Sequence, residues 1–178
     1  MSVFNTGMIK TGSGVVLGLA LAYGGIAQFA AGMWEFIKGN TFGAVAFASY
    51  GAFWVSAWWL LTHLPADAKG NDLAHGIGVY FLAWCIFTTY MFVASLRMSG
   101  AVAAVFVFLA ATFHFLAIGA LSMSTADIAA ANYNGLYKFA GWLGLITALF
   151  AWYASFAAVT NSTFKRVVLP TYPLAGRH

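Results

Sequence analysis

The stretch Tyr23–Gly43, YGGIAQFAAGMWEFIKGNTFG, decides how this chain folds. It begins inside a long apolar run and leaves that run through Glu35 and Lys38. It turns at residues 39–41 and re-enters apolar sequence at Phe42. Two apolar runs of membrane-spanning length joined by so short a polar turn predict a pair of antiparallel membrane helices.

One face of the first predicted helix consists mostly of polar residues and glycines. Residues three and four apart share a helix face, and this face carries Leu21, Gly24, Gln28, Gly32 and Glu35. The amide of Gln28 and the carboxyl of Glu35 are about 10 Å apart along the axis. A polar stripe on a membrane helix faces something other than lipid. The pattern therefore predicts either a partner helix or a water-filled path.

The composition of the chain predicts an integral membrane protein. Of 178 residues, 62% are hydrophobic and 7% charged, whereas soluble domains carry roughly 25% charged residues. The basic residues are scattered, which argues against nucleic-acid binding. The single cysteine, Cys85, excludes an internal disulfide framework and a cysteine-based metal site. We expect an all-α integral membrane protein with one membrane domain, residues 1–178.

Five apolar runs are long enough to cross a hydrocarbon core, which takes about 20 residues. We expect residues 1–13 to lie outside the membrane, residues 14–160 to form the helical bundle, and residues 161–178 to form a cytoplasmic tail. No spanning helix is expected before Ser13. The predicted spans are Gly14–Ile37, Phe42–Leu64, Leu73–Leu96, Ala101–Met123 and Leu136–Val159.

The distribution of cations predicts the topology. One side of the predicted bundle collects Lys38, Arg97, Lys165, Arg166 and Arg177, and the other collects Lys10, Lys69 and Lys138. The richer side is assigned to the cytoplasm of a cell (plasma or inner) membrane. The C-terminus is then inside and the N-terminus outside.

Rows of small residues mark two predicted helix contacts, because small side chains let backbones approach within lipid. The first span carries Gly14, Gly18 and Ala22. The fifth carries Gly144, Ala148, Ala151 and Ser155.

Four intramembrane side chains are candidates for function, each with a simpler structural interpretation. Gln28 and Tyr50 each need a hydrogen-bond partner inside the bundle. Glu35 has either a proton or gating role or a local ion pair with Lys38. His114 is more often a satisfied core histidine. The histidines show no metal-ligand spacing and no serine sits in a nucleophile elbow, so neither an enzyme nor a bound metal or cofactor is expected.

The middles of the spans contain no Lys or Arg. A permanent anion would find no fixed cation there to offset its desolvation. A small solute that is neutral or transiently protonated fits more easily.

Several segments resemble the acetate uptake transporters, also called the succinate–acetate permease family. The strongest is YGGIAQFAAGMWEFIKGNTFGAVAFASYGAFW, Tyr23–Trp54. The others are GVYFLAWCIFTTYMF (Gly78–Phe92), FLAIG (Phe115–Gly119), FAGWLGLITALFAWYASFAAV (Phe139–Val159) and FKRVVLP (Phe164–Pro170).

This resemblance implies a transporter or channel for acetate and related short carboxylates, succinate among them, with proton symport and assembly into hexamers that have a path through each protomer. By matching motifs, Tyr50 is the tyrosine of a constriction in that path and Leu109 its aliphatic partner. Gln28 lines the path, and Ala151 is a selectivity position. His114 receives no role from the resemblance.

The chain departs from the family in one respect. Family members have six membrane helices, and the first begins with an Asn-Pro-Ala-Pro-Leu-Gly motif that has no counterpart here. Two other functions stay open: a channel for small neutral solutes such as urea or amides, which the lack of intramembrane cations also fits, and a non-transporting membrane subunit, which the missing helix allows.

Overall fold

The computed structural model describes residues 1–65, 67–68 and 70–174, and all regular structure in these residues is helical. Lys69 and Arg177, used above for topology, lie outside the described residues. The helices are α1 (Ser2–Asn5), α2 (Ser13–Ile37), α3 (Thr41–Thr62), α4 (Asp72–Ser95), α5 (Gly100–Leu121), α6 (Thr125–Ala129) and α7 (Gly135–Phe164).

The predicted all-α architecture with five spans is confirmed. Helices α2, α3, α4, α5 and α7 are each long and apolar enough to cross a membrane, and each begins one residue before the predicted start. The residues before Ser13 hold only the four-residue helix α1.

The fifth span is longer than the prediction of Leu136–Val159, because α7 continues to Phe164. Its 30 residues are about 45 Å long, against a hydrocarbon core of about 30 Å. The polar residues 160–163 can therefore stay helical outside the core. The helix stops where Lys165 adopts a left-handed conformation, with φ +55°.

The chain divides into two compact units, and the smaller is Lys10–Asp67. It contains α2 and α3 and the turn between them. Asn40 caps α3, since its side-chain oxygen accepts a hydrogen bond from the Gly43 N–H at 3.1 Å. At the other end of α3 the His63 ring stacks on Trp59, with centroids 3.9 Å apart.

The second unit comprises Met1–Ile9 and Ala68–His178. Helix α5 packs against both α4 and α7. Gly78 on α4 faces Leu121 of α5, and Gly119 on α5 faces the backbone of Tyr137 on α7. Helix α1 lies on α7, where Gly141 leaves room for the backbone of Asn5 and Thr6.

The segment after α7 folds back onto the start of α5. The N–H groups of Gly100 and Ala101 donate to the carbonyls of Tyr172 and Thr171 at 2.7 and 3.2 Å. These N–H donors belong to the first turn of α5, whose backbone N–H groups have no acceptors within the helix. Asn161 holds the returning segment, because its side-chain oxygen accepts from the N–H groups of residues 168 and 169.

The link between α5 and α7 is ordered by caps. Ser124 and Asp127 form a capping box around α6, and the bonds from Ser124 lower the pKa of the Asp127 carboxyl. Asn134 caps α7 by accepting from the Tyr137 N–H at 2.9 Å. The same side chain donates to the Gly119 carbonyl at 2.9 Å, which ties the end of α5 to the start of α7.

We predict that Gly32→Ala destabilises the protein, because an added methyl group would meet the backbone of Ala48 on α3. Overpacking of this kind costs about 1–3 kcal/mol. Gly76→Ala is the matched control: it lies within α4 with open space at its Cβ position, so the better helix propensity of alanine should leave stability unchanged or raised. Thermal unfolding in detergent measures both. Equal transition temperatures for the two variants would contradict the close approach at Gly32.

Candidate functional site

Helix α2 changes its winding just before the candidate residue Gln28. Residues Ala20–Ala27 are π-helical, and a regular α-helix runs over Gln28–Ile37. A π-helix takes more residues per turn than an α-helix. The predicted polar face therefore holds from Gln28 through Gly32 to Glu35, and its extension to Leu21 does not follow the α-helical spacing. Such π segments inside helices are frequent at functional sites.

Glycines bring α2 and α3 into backbone contact. A Cβ on Gly51 would lie 2.6 Å from the Phe29 nitrogen, and one on Gly25 would lie 2.8 Å from a methyl group of Val55. These contacts fix an antiparallel register in which Gln28 lies level with Ala52. Tyr50 is two residues away from that level, about 3 Å along the axis. The hairpin thus places the backbones of Gln28 and Tyr50 at nearly the same depth.

The two side chains differ in burial. Tyr50 is buried, with 8% of its surface exposed, while Gln28 is half-buried. Both can give and accept hydrogen bonds. An amide and a phenol at one depth can bind a carboxyl or amide group of a small solute, and neither carries a charge that would have to be neutralised.

The Glu35 carboxylate is engaged at the turn after α2. The Asn40 side-chain amide donates to Glu35 Oε2, and Lys38 Nζ lies 3.7 Å from Glu35 Oε1. The Asn40 N–H also donates to the Glu35 carbonyl at 2.9 Å. The local ion pair considered from the sequence is therefore present. Asn40 adds a second bond that sequence reasoning missed, although an asparagine directly before an apolar helix is a recognisable cap signal.

Leu109 and Ala151, the other predicted path residues, lie on the neighbouring helices α5 and α7, and both are half-buried. The rings of Phe108 and Phe150 stack with centroids 5.3 Å apart. The position of Gly144 opposite Thr112 sets the same antiparallel register, in which Leu109 lies level with Thr147. Ala151 is one helical turn further, about 6 Å along the axis.

The charges of the described residues avoid the middles of the spans. Glu35 and Lys138 lie near helix ends, and α4 begins with Asp72. No group of three His, Cys, Asp or Glu side chains in the described residues could hold a metal ion. The fold and these residues define an integral membrane protein with uncharged candidate path residues, which is a composition typical of a transporter or channel.

Three comparisons with known proteins agree with that class. The chain is 39% identical over 157 residues to the succinate-acetate/proton symporter SatP of Escherichia coli (strain K12), which covers 88% of this chain and 79% of that protein. It is 35% identical over 165 residues to acetate permease A of Emericella nidulans, covering 88% of this chain and 54% of that protein. The solved structure of the bacterial acetate channel SatP matches with a TM-score of 0.80 and 36% identity, over 96% of this chain and 88% of that one.

The model of the GPR1/FUN34/yaaH family matches residues 1–176, and this chain belongs to that family. The resemblance inferred from the sequence segments is thereby confirmed. These relatives are named as a symporter, a permease and a channel, so the expectation of a membrane transport protein rather than an enzyme is also confirmed.

We predict that Asn40→Ala lowers the free energy of unfolding by about 1–2 kcal/mol, the usual cost of losing a helix cap. It also removes one of the two partners of the Glu35 carboxylate. Thr41→Ala, at an exposed neighbouring position, is the control and should change stability little. Thermal unfolding in detergent at several salt concentrations checks this, and an Asn40→Ala transition identical to that of Thr41→Ala would contradict the role of Asn40.

Proposed function

We propose that this chain carries acetate across a cell membrane, and that related short carboxylates such as succinate share the path. The observation that carries the proposal is the match to SatP proteins named for this activity, at 39% identity to a symporter and 36% to a solved channel. The absence of fixed cations in the spans supports a substrate that crosses protonated or together with a proton.

The proposed path residues act through size and hydrogen bonding. Tyr50 forms the constriction with Leu109, and Ala151 sets the width at a second level. Gln28 offers its amide to the carboxyl group of the passing solute. The depth shared by Gln28 and Tyr50 on the α2–α3 hairpin supports their placement along one path.

Glu35 is proposed as a group at the end of the path with an influence on protons or gating. Its contacts with Lys38 and Asn40 also support a structural contribution, in which the carboxylate orders the turn between α2 and α3. Variants of Glu35 decide between these roles.

The proposed setting is a ring of six copies in the plasma or inner membrane, with the C-terminus in the cytoplasm. Residues 1–13 and 161–178 lie outside the bundle of residues 14–160 in this proposal. The length of α7 supports the placement of residues 161–164 outside the membrane, because the last turns of this helix extend beyond the thickness of a hydrocarbon core.

We predict that acetate uptake into proteoliposomes falls as external pH rises from mildly acidic to mildly alkaline at constant total acetate. A bare charge at the bilayer centre costs at least about 2.5 kcal/mol, and protonation of the carboxylate removes that cost. Above the pKa of the acid the protonated fraction falls about tenfold per pH unit, which sets the steepest decline expected.

Protein-free vesicles control for passive diffusion of the acid, and labelled urea controls for a channel for neutral solutes. Glu35→Gln leaves the pH profile unchanged if the carboxylate is structural and shifts it if the carboxylate exchanges protons. Uptake that is flat with pH, or driven by an inside-positive potential alone, would contradict proton-linked transport. Urea flux without acetate flux would favour the neutral-solute channel, and no flux of either would favour a non-transporting subunit.

We predict that Tyr50→Ala relaxes size selection, because removal of the buried phenol widens the proposed constriction. The ratio of butyrate to acetate uptake should rise several-fold. Phe47→Ala is the matched control on the same helix, since 43% of the Phe47 side chain is exposed, and it should keep the original ratio. An unchanged ratio in Tyr50→Ala, in vesicles where acetate is still taken up, would remove Tyr50 from the constriction.

A further inference from the structure

The returning segment, residues 165–174, is bound to two helices of the same compact unit. Four consecutive backbone carbonyls in it accept hydrogen bonds. Those of residues 169 and 170 accept from side chains of α7, the Asn161 amide at 2.8 Å and the Tyr153 hydroxyl at 2.6 Å. Those of residues 171 and 172 accept from backbone N–H groups of α5 at 3.2 and 2.7 Å. The segment therefore links α7 to α5 through neighbouring residues.

Most donors of the returning segment are also accounted for. Pro170 and Pro173 have no N–H group that would need a partner. The N–H groups of residues 168 and 169 donate to Asn161, and the Leu174 N–H donates to the Met98 carbonyl at 3.2 Å. These bonds fix a non-helical segment beside the ends of two membrane helices, where unpaired backbone groups are costly.

The returning segment follows one face of α7. In the register described above, α5 begins level with Phe156, so residues 157–164 of α7 project about 12 Å past it. The attachment points on α7 are Asn161 and, two turns earlier, Tyr153. Ala157 lies midway between them and is fully buried. Residues four apart share a helix face, so the segment runs back along the face that these three residues form.

This face lies behind the proposed selectivity position Ala151. Tyr153 follows Ala151 by two residues, about 200° around the helix, so the two side chains leave α7 on nearly opposite sides. On a third side the Phe150 ring stacks on Phe108 of α5. A displacement of α7 toward its Tyr153 side would push the returning segment off its bonds to α5.

We propose that Tyr153 is a positioning residue for Ala151. By donating to the Pro170 carbonyl, it fixes the returning segment behind α7, and the segment keeps Ala151 from receding from the path. Tyr153 thus acts on selectivity without touching the solute. This inference rests on the proposed function, because it assigns a selectivity role to the position that Ala151 holds.

The bond acts through a population of conformations in which the returning segment is detached. Loss of one hydrogen bond raises such a population roughly fivefold. In the detached conformations α7 has room to move away from the path at Ala151, and a larger acid can pass. The flux of larger acids then rises with the detached population, by up to the same factor.

Detachment is measured by the rate of tryptic cleavage after Lys165 and Arg166 in detergent, with fragments identified by mass spectrometry. Both side chains are exposed, and cleavage of a transiently open segment tracks its open population. Tyr153→Phe keeps the ring and removes the donor, so we expect roughly fivefold faster cleavage. Tyr172→Phe is the matched control in the same segment, since the Tyr172 side chain is 64% exposed, and it should leave the rate unchanged.

Selectivity is measured by the ratio of butyrate to acetate uptake into proteoliposomes. The ratio should rise in Tyr153→Phe, by up to about fivefold, and stay the same in Tyr172→Phe. Asn161→Ala loosens the same segment and should also raise it. Asn161→Asp keeps the oxygen that accepts from residues 168 and 169, so its effect should be smaller than that of Asn161→Ala.

Each outcome bears on a different step. Unchanged cleavage in Tyr153→Phe overturns the role of its hydroxyl in holding the segment. Faster cleavage with an unchanged uptake ratio overturns the positioning of Ala151. If the unaltered protein takes up no acetate, the proposed function fails and the selectivity role fails with it, while the cleavage rates still decide the attachment. Thermal unfolding checks that each variant is folded, and Asn161→Ala supplies both measurements if Tyr153→Phe is not.

Discussion

The hydrocarbon interior requires every backbone N–H and C=O to find a partner within the protein, and the rest of this structure depends on that constraint. It makes the five apolar runs helical. It also explains why the helix ends are capped, since four N–H donors at the start of a helix and four C=O acceptors at its end lack partners within the helix. Asn40, Ser99 and Asn134 each accept from the first turn of the following helix. At α5 the carbonyls of the returning C-terminal segment complete the cap.

Since lipid tails are as apolar as the side chains, hydrophobic burial does not hold these helices together. Close contact replaces it, and glycine makes close contact possible. Gly32 and Gly51 bring α2 against α3, while Gly78 and Gly119 do the same for α5 and its neighbours. The polar side chains of the spans mostly bond within their own helix: Thr89, Thr112 and Thr147 each donate to the carbonyl four residues earlier. Such groups remain satisfied without a partner helix.

The same constraint bears on the chemistry of the proposed path. Its proposed lining residues Gln28 and Tyr50 are polar but uncharged. The carboxylate of Glu35 is placed at a helix end, between Lys38 and Asn40. This arrangement is consistent with the proposed reliance on protonation and size rather than on a fixed counter-ion, because an isolated cation in the bilayer centre would destabilise the protein itself.

The amino-acid sequence by itself determined the class, the five spans and the family. These depend on composition and on apolar length, which are local properties, and each helix start was predicted to within one residue. The extension of α7 to Phe164 was missed because polar residues 160–163 look like the end of a span, although a helix outside the core tolerates them.

Tertiary structure decided the rest. Residues Ala20–Ala27 are π-helical where Gly24 and Gly25 pack on Trp54 and Val55, and helical periodicity in the sequence does not report this winding. The common depth of Gln28 and Tyr50 follows from the register of two helices, which is set by backbone contact at a few glycines. The groove lined by α4 residues such as Ile86 and Thr89 and by His114 of α5 likewise needs both helices, since a single helix has no concave surface.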